Sequence, residues 1–347
     1  MSFRKWLSTI TLVLIATIVY FARHELVTAW HLLERVNIWI LLLLIPAQLF
    51  SYYAAAEMMF SYLREKKLIK PISGLTHARM ALEMNFVNHV LPSGGVSGIS
   101  YMTWRLGQYG VSSGKAAMAQ VVRYVMSFVA FIVLLIGAVL IVTLDGGINR
   151  WIILVSSGLV TGMIVAVIGG MFVLSSQRRM HTTAAWVACA VNWIVRRVTF
   201  GRRPAIMSAT KVEAFFDDMH EDYVSLNRDK RVLLKPFLWG ILFNVADVTL
   251  FVITFWALGV SVNPAPILIA FGVASVAGAF VVTPGGAGAY EAIMVAFLAV
   301  AGVASGVAIA GILLTRVILL LGTIVLGYFF YQHAITKYGK KHTPINR

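Results

Sequence analysis

Apolar and polar residues come in long blocks along this chain, not at the short periods of a soluble helix or strand. Residues 6–22, 36–63, 115–144, 151–174, 233–258 and 303–333 are apolar runs bounded by charged or Gly/Pro-containing segments. A helix crosses a bilayer with roughly 20 apolar residues. Each run therefore predicts one crossing, the longer ones tilted or extended into the interface. Two further apolar stretches, 80–109 and 265–302, are each interrupted by a Pro-Gly element.

These two elements form a repeat. The first is Leu91-Pro92-Ser93-Gly94-Gly95-Val96-Ser97-Gly98, followed by Gly110-Val111 and Arg123. The second is Thr283-Pro284-Gly285-Gly286-Ala287-Gly288, followed by Gly302-Val303 and Arg316. Proline and Gly-Val are 18 residues apart in both (110 − 92 and 302 − 284), and glycine to arginine is 13 and 14. Internal repetition outranks other sequence signals. In a membrane chain, Gly/Pro-interrupted segments at matching places in two halves point to a transport site.

Charge sets the expected topology. Arg4 and Lys5 precede the first run, and Arg64, Lys66, Lys67, Lys70 and Arg79 follow the second. A dense basic stretch runs from Arg178 to Lys235, and Lys337, Lys340, Lys341 and Arg347 close the chain. The other loops carry little net positive charge. Lys/Arg-rich loops stay on the cytoplasmic side, so six crossings with both termini cytoplasmic satisfy every loop. Under that topology 80–109 and 265–302 cannot cross fully without inverting all later loops. Each is expected to be a re-entrant hairpin, since non-helical backbone at depth needs protein or a wet cavity around it. The hairpins then enter from opposite sides. The expected fold is an all-α polytopic bundle in one membrane domain, with 36–144 and 233–333 as inverted repeats joined by a cytoplasmic connector, 175–232.

Within the connector, the apolar stretch 184–195 is too short to cross. Trp186 and Trp193 share a helix face and suit the headgroup region. Thr210-Lys211-Val212-Glu213 has the pattern of a capping box. Val212, Phe215, Phe216, Met219 and Tyr223 then form a helical stripe opposite Asp217, Asp218, Glu221 and Asp222, which predicts a surface helix packed under the bundle.

Composition agrees: 59% of residues are hydrophobic and 12% charged, too few charges for the surface of a soluble chain. The net charge of +15 does not imply nucleic acid, because the basic residues lie in short loops between apolar runs. An anionic inner leaflet attracts the same residues. Residues 6–22 have the length of a signal peptide, but Tyr20-Phe21-Ala22-Arg23-His24 is too bulky for cleavage, so a retained span is expected. Cys189 is the sole cysteine, so no intrachain disulfide can form. There is no Walker A motif and no His/Cys cluster with metal-ligand spacing, so neither cofactor nor metal is expected. Ser97, Ser100 and His89 lack the elbow that would make a nucleophile.

Carboxylates in membrane segments are Glu57, Glu83, Asp247 and Glu291. Each is costly there and needs a reason. Glu291 begins the return half of the second hairpin, where it either complements the helix dipole or coordinates a cation or proton. Asp247 and Asn244 share a helix face, as a structural hydrogen-bonded pair or as a coupling site. Glu57 and Glu83 are expected near span ends, snorkelling to the interface or paired with Arg64 or Arg79. Arg123 and Arg316 are either halves of buried ion pairs, with Asp247 or Glu291, or contacts to phosphate, which guanidinium geometry suits. Pro92, Gly94, Gly95, Pro284, Gly285, Gly286 and Gly288 add backbone N–H groups at helix starts, a seat for an anion.

Pro284-Gly285-Gly286-Ala287-Gly288-Ala289-Tyr290-Glu291, with Gly302-Val303 and Leu313-Leu314-Thr315-Arg316, resembles the signature of the lysylphosphatidylglycerol synthase transmembrane-region family, also called flippase-like or UPF0104 proteins. The resemblance covers about residues 36–331. It is weaker in the first element, where Ile99 and Met102 stand at places often held by an acid and a base, with Arg105 the nearest cation. The resemblance implies an inner-membrane protein that moves an amphipathic lipid between leaflets. The alternative is a non-transporting partner of a membrane glycosyltransferase or lipid synthase. Membrane lipids with an anionic headgroup are the expected ligands. The soluble aminoacyl-transferase domain of some relatives has no counterpart here, so no enzyme activity is expected.

Overall fold

The computed structural model describes residues 36–70, 72–90, 96–144, 150–198, 209–279 and 288–338, with positions 27, 31 and 34 besides. All regular structure among them is helical. A single turn, Ile38–Leu41, is capped by the Asn37 side chain and leads into α1 (Leu44–Glu65). Then follow α2 (Gly74–Val90), α3 (Val96–Gly107), α4 (Ser113–Leu144), α5 (Arg150–Leu174) and α6 (Gln177–Val198). The chain continues through α7 (Ala209–Arg228), α8 (Leu234–Ala257), α9 (Pro264–Ala279), α10 (Ala289–Val300) and α11 (Ser305–Tyr338).

Five described helices are long and apolar enough to cross a membrane: Ile38–Glu65, Ser113–Leu144, Ile153–Leu174, Lys230–Ala257 and Ser305–Tyr338. They coincide with five of the six expected crossings. The sixth, 6–22, lies outside the described residues, as do Pro92, Gly94, Gly95, Pro284, Gly285 and Gly286. Around those elements stand two pairs of shorter helices, α2 with α3 and α9 with α10. Outward-facing Ile136, Leu140, Ile168, Phe172 and Phe329 are more than half exposed, as suits a surface bathed in lipid.

Two sets of four helices, α1–α4 and α8–α11, pack crosswise. The two first helices, α1 and α8, lie against each other. α2 packs on α11 of the other set, and its counterpart α9 packs on α4. Likewise α3 rests on α4 and α10 on α11, while α1 meets α4 and α8 meets α11. Where α2 crosses α11 the approach is close: a Cβ on Gly327 would stand 2.4 Å from the Phe86 Cβ.

Helix ends repeat as well. α1, α3, α8 and α10 each close on a left-handed residue: Lys67 (φ 54°), Gly110 (φ 82°), Gly259 (φ 76°) and Gly302 (φ 90°). The next residue then donates its N–H five residues back, Leu68 to Leu63 and Val111 to Leu106, Val260 to Phe255 and Val303 to Leu298. This Schellman closure satisfies carbonyls that the helix end would otherwise strand. The repeat motif in the sequence includes two of these ends, Gly110-Val111 and Gly302-Val303, while Gly259-Val260 and Lys67-Leu68 emerge only from the structure, the latter with a Cβ that disfavours this conformation.

The connector folds more tightly onto the bundle than its pattern suggests. α7 begins at Ala209, so Thr210 falls inside its first turn and is not the cap. Val212 and Met219 are buried as expected. Asp222, expected on the polar face, is buried and accepts the Tyr62 hydroxyl at 2.7 Å. Asp218 accepts the Ser112 hydroxyl. These bonds tie α7 to the ends of α1 and α4, because a carboxylate that leaves water needs a donor.

Candidate functional site

Polar side chains from both helix sets converge in the interior. On α1, Gln48, Ser51 and Tyr52 lie at i, i+3 and i+4, one stripe of a helix. The Gln48 amide donates to the Leu319 carbonyl at 2.8 Å and to the Thr323 hydroxyl at 3.0 Å, and Tyr52 and Thr323 share a hydrogen bond. Those contacts bind α1 to α11. Ser51 donates its hydroxyl to the Asp247 carboxylate on α8.

Asn244 does not pair with Asp247, contrary to expectation. Its amide donates to the Gly240 carbonyl at 2.8 Å and the Ser127 carbonyl at 3.2 Å, which holds α8 against α4. A carbonyl one turn back on the same helix lies within reach of Asn244, whereas the Asp247 carboxylate turns toward α1.

Glu291 does two jobs. One carboxylate oxygen accepts the Gly288 N–H at 2.6 Å, which satisfies a donor at the start of α10. The other accepts Arg316 Nε at 2.8 Å, and the guanidinium lies over the Tyr290 ring at 4.3 Å. The dipole role and the ion-pair role are thus both filled by one side chain.

Arg123 stands differently. Its Nη1 approaches Met84 Sδ at 3.2 Å and its guanidinium lies 5.4 Å from the Tyr124 ring centre. No carboxylate among the described residues is within ion-pair distance of it; Asp247 acts on it electrostatically across a gap. Tyr52, His89, Arg123 and Asp247 are enclosed by protein, yet each keeps accessible surface.

Glu83 belongs to another cluster. It is fully buried, and its Oε2 accepts both Arg105 Nε and the Tyr101 hydroxyl at 2.9 Å. Arg105 in turn lies over the Tyr338 ring at 4.3 Å, so the pair joins α2, α3 and α11. Arg64 and Arg79 are not its partners: Arg64 takes Glu57, which also bonds His77 at 2.6 Å, and Arg79 lies over the Phe330 ring. The spacing along α2 and α3 brings Glu83 opposite Arg105 once the two helices fold back on each other. No group of three or more potential metal ligands occurs among the described residues.

Residues 7–327 match the family model described as the lysylphosphatidylglycerol synthase TM region. The chain belongs to that family. It is also similar to a UPF0104 membrane protein of Methanothermobacter thermautotrophicus, 24% identical over 234 residues that cover 67% of each chain. No solved structure matches it. In this member of the family, Arg123, Asn244, Asp247, Glu291 and Arg316 gather at the meeting of the two helix sets, and Glu83 stands apart from them. Sequence reading missed Gln48, Ser51, Tyr52, Tyr290 and Thr323. The polar stripe on α1 was the available signal, three hydrogen-bonding side chains on one face of an otherwise apolar run.

Proposed function

We propose that this protein moves an anionic amphipathic lipid, or a lipid-linked glycan, between the leaflets of the cytoplasmic membrane. The observation that carries the reading is Arg123, an enclosed guanidinium whose contacts are a thioether and an aromatic ring. A cation at bilayer depth costs roughly 2.5–3.5 kcal/mol on insertion scales, so it needs an anion. Its planar array of donors fits a phosphate.

Charge balance supports a coupled proton. Arg123 and Arg316 are matched by Asp247 and Glu291, so the empty site is neutral. A phosphodiester monoanion would leave it one charge negative in a medium of low dielectric. One proton on Asp247 restores neutrality. Binding of the phosphate and protonation of Asp247 therefore favour each other, while Arg316 keeps Glu291 and contributes its field.

The crosswise packing of the helix sets supports a two-fold repeat, and the placement of the basic loops supports opposite orientations for its halves. In this reading α2–α3 and α9–α10 are re-entrant hairpins, with 36–144 and 233–333 as the repeats and 175–232 as a cytoplasmic connector between them. The two Pro-Gly elements join the halves of each hairpin in sequence, and both termini are cytoplasmic. Rocking of one repeat against the other exposes the site alternately.

The test is a proteoliposome containing only this chain and a fluorescent short-chain phosphatidylglycerol, quenched by dithionite from outside. Wild-type protein makes the inner-leaflet probe quenchable. Arg123→Ala and Arg123→Lys abolish this with normal folded yield, and Asp247→Asn flattens the pH dependence. An Arg123→Ala chain that moves the probe at the wild-type rate ends the reading.

A further inference from the structure

Two faces of α6 have different fates. Gln177 and His181 bond Asp217 of α7 at 3.2 and 2.9 Å, and Met180 is buried. On the opposite side Trp186, Cys189, Trp193 and Arg197 fall within an arc of about 80° at 3.6 residues per turn. All four are exposed, the tryptophans by 71% and 60%. The Arg197 guanidinium lies 5.6 Å from the Trp193 ring centre. Among the described residues, nothing covers this face.

Position and charge identify the occupant. α5, of membrane length, ends at Leu174 and α6 begins at Gln177, so α6 starts at the bilayer boundary. Its 22 residues carry Arg178, Arg179, Arg196 and Arg197 and no carboxylate. Exposed tryptophans flanked at both helix ends by arginines are what the headgroup level of an anionic leaflet selects. We infer that α6 lies in the plane of the membrane, with the Trp186–Trp193 face sunk to the headgroup boundary, and binds anionic lipid. This stands apart from the transport reading, because it uses none of the interior residues. α7 links the two places: it is bonded to α6 through Asp217 and to the start of α4 through Asp218.

Cys189, the sole cysteine, permits a test on the unaltered chain. A nitroxide on Cys189 is read by power saturation in nanodiscs of phosphatidylcholine, with and without phosphatidylglycerol. The inference expects collisions with oxygen to exceed those with a nickel chelate, and phosphatidylglycerol to deepen the label. Arg178→Gln and Arg197→Gln, both at exposed positions, should each weaken the anionic-lipid preference by roughly fivefold. High salt should weaken it further. A label equally open to nickel in both lipids overturns the inference, as does a depth indifferent to the arginines. Dipolar broadening from a second label, which would mean that another copy of the chain covers this face, overturns it too.

Discussion

Lys67 and Gly259 stand 192 residues apart (259 − 67), and each is the left-handed residue on which a membrane-length helix closes. Gly110 and Gly302 have the same separation (302 − 110). The prolines of the two Pro-Gly elements share it too (284 − 92). One constant offset thus relates two helix ends and one Pro-Gly sequence element across the halves. A helix closure is a backbone property, so it persists where the side chain has changed from glycine to lysine.

The closures should be measurable. Gly110→Ala and Gly302→Ala place a Cβ where φ is positive and should each destabilise the protein by roughly 1–2 kcal/mol. Gly306→Ala, inside α11 with open space around it, should be neutral or slightly stabilising. Thermal unfolding in detergent compares the three. Equal melting for all would remove the closures from the account of the fold.

Arg316 and Arg123 should respond differently to removal. Arg316→Ala strands Glu291 and should lower folded yield, by less than the roughly 3–5 kcal/mol of a fully buried pair because both side chains keep some accessible surface. Adding Glu291→Gln should recover much of that yield. Arg123→Ala leaves no carboxylate without its direct partner and should fold normally. The measurement is monodisperse protein per membrane extracted. A loss for Arg123→Ala that Asp247→Asn rescues would make Arg123 a structural ion-pair member.

Glu83 and Arg105 are 0% and 2% exposed, and Glu83 Oε1 and Arg105 Nη1 find no hydrogen-bond partner among the described residues. Glu83→Gln or Arg105→Gln alone should therefore cost roughly 3–5 kcal/mol. Replacing both by methionine should approach wild-type stability, since an apolar pair of similar volume avoids desolvating two charges. Melting temperatures of the two singles and the double test this. A double variant no better than the singles would show that the pair does more than hold α2 to α3.

The opposite orientation proposed for the two helix pairs has a direct test. In a Cys189→Ser background, single cysteines at Gly94 and Gly286 should react with impermeant maleimides from opposite sides of oriented vesicles. Reaction of both from one side would rule out inverted hairpins.

The linear chain alone determined which segments reach lipid depth. Burial in a bilayer is a sum over some 20 consecutive residues, so five runs matched helices to within a few positions. It also exposed the repeat, because glycine at a left-handed closure and proline at a break are demanded locally. Partnership among charges was different. Arg316 was left between Glu291 and Asp247, and only the folding of α10 against α11 put Glu291 within 2.8 Å. Glu83 went to Arg105 and not to Arg79, because α3 turns back along α2. Asp222 was read as a solvent-facing acid, yet the docking of α7 on α1 buried it against Tyr62. Ser51 and Asp247 are 196 residues apart and met only through the α1–α8 contact. A charge in a low-dielectric interior accepts whichever donor the packing delivers, and that choice is made in three dimensions.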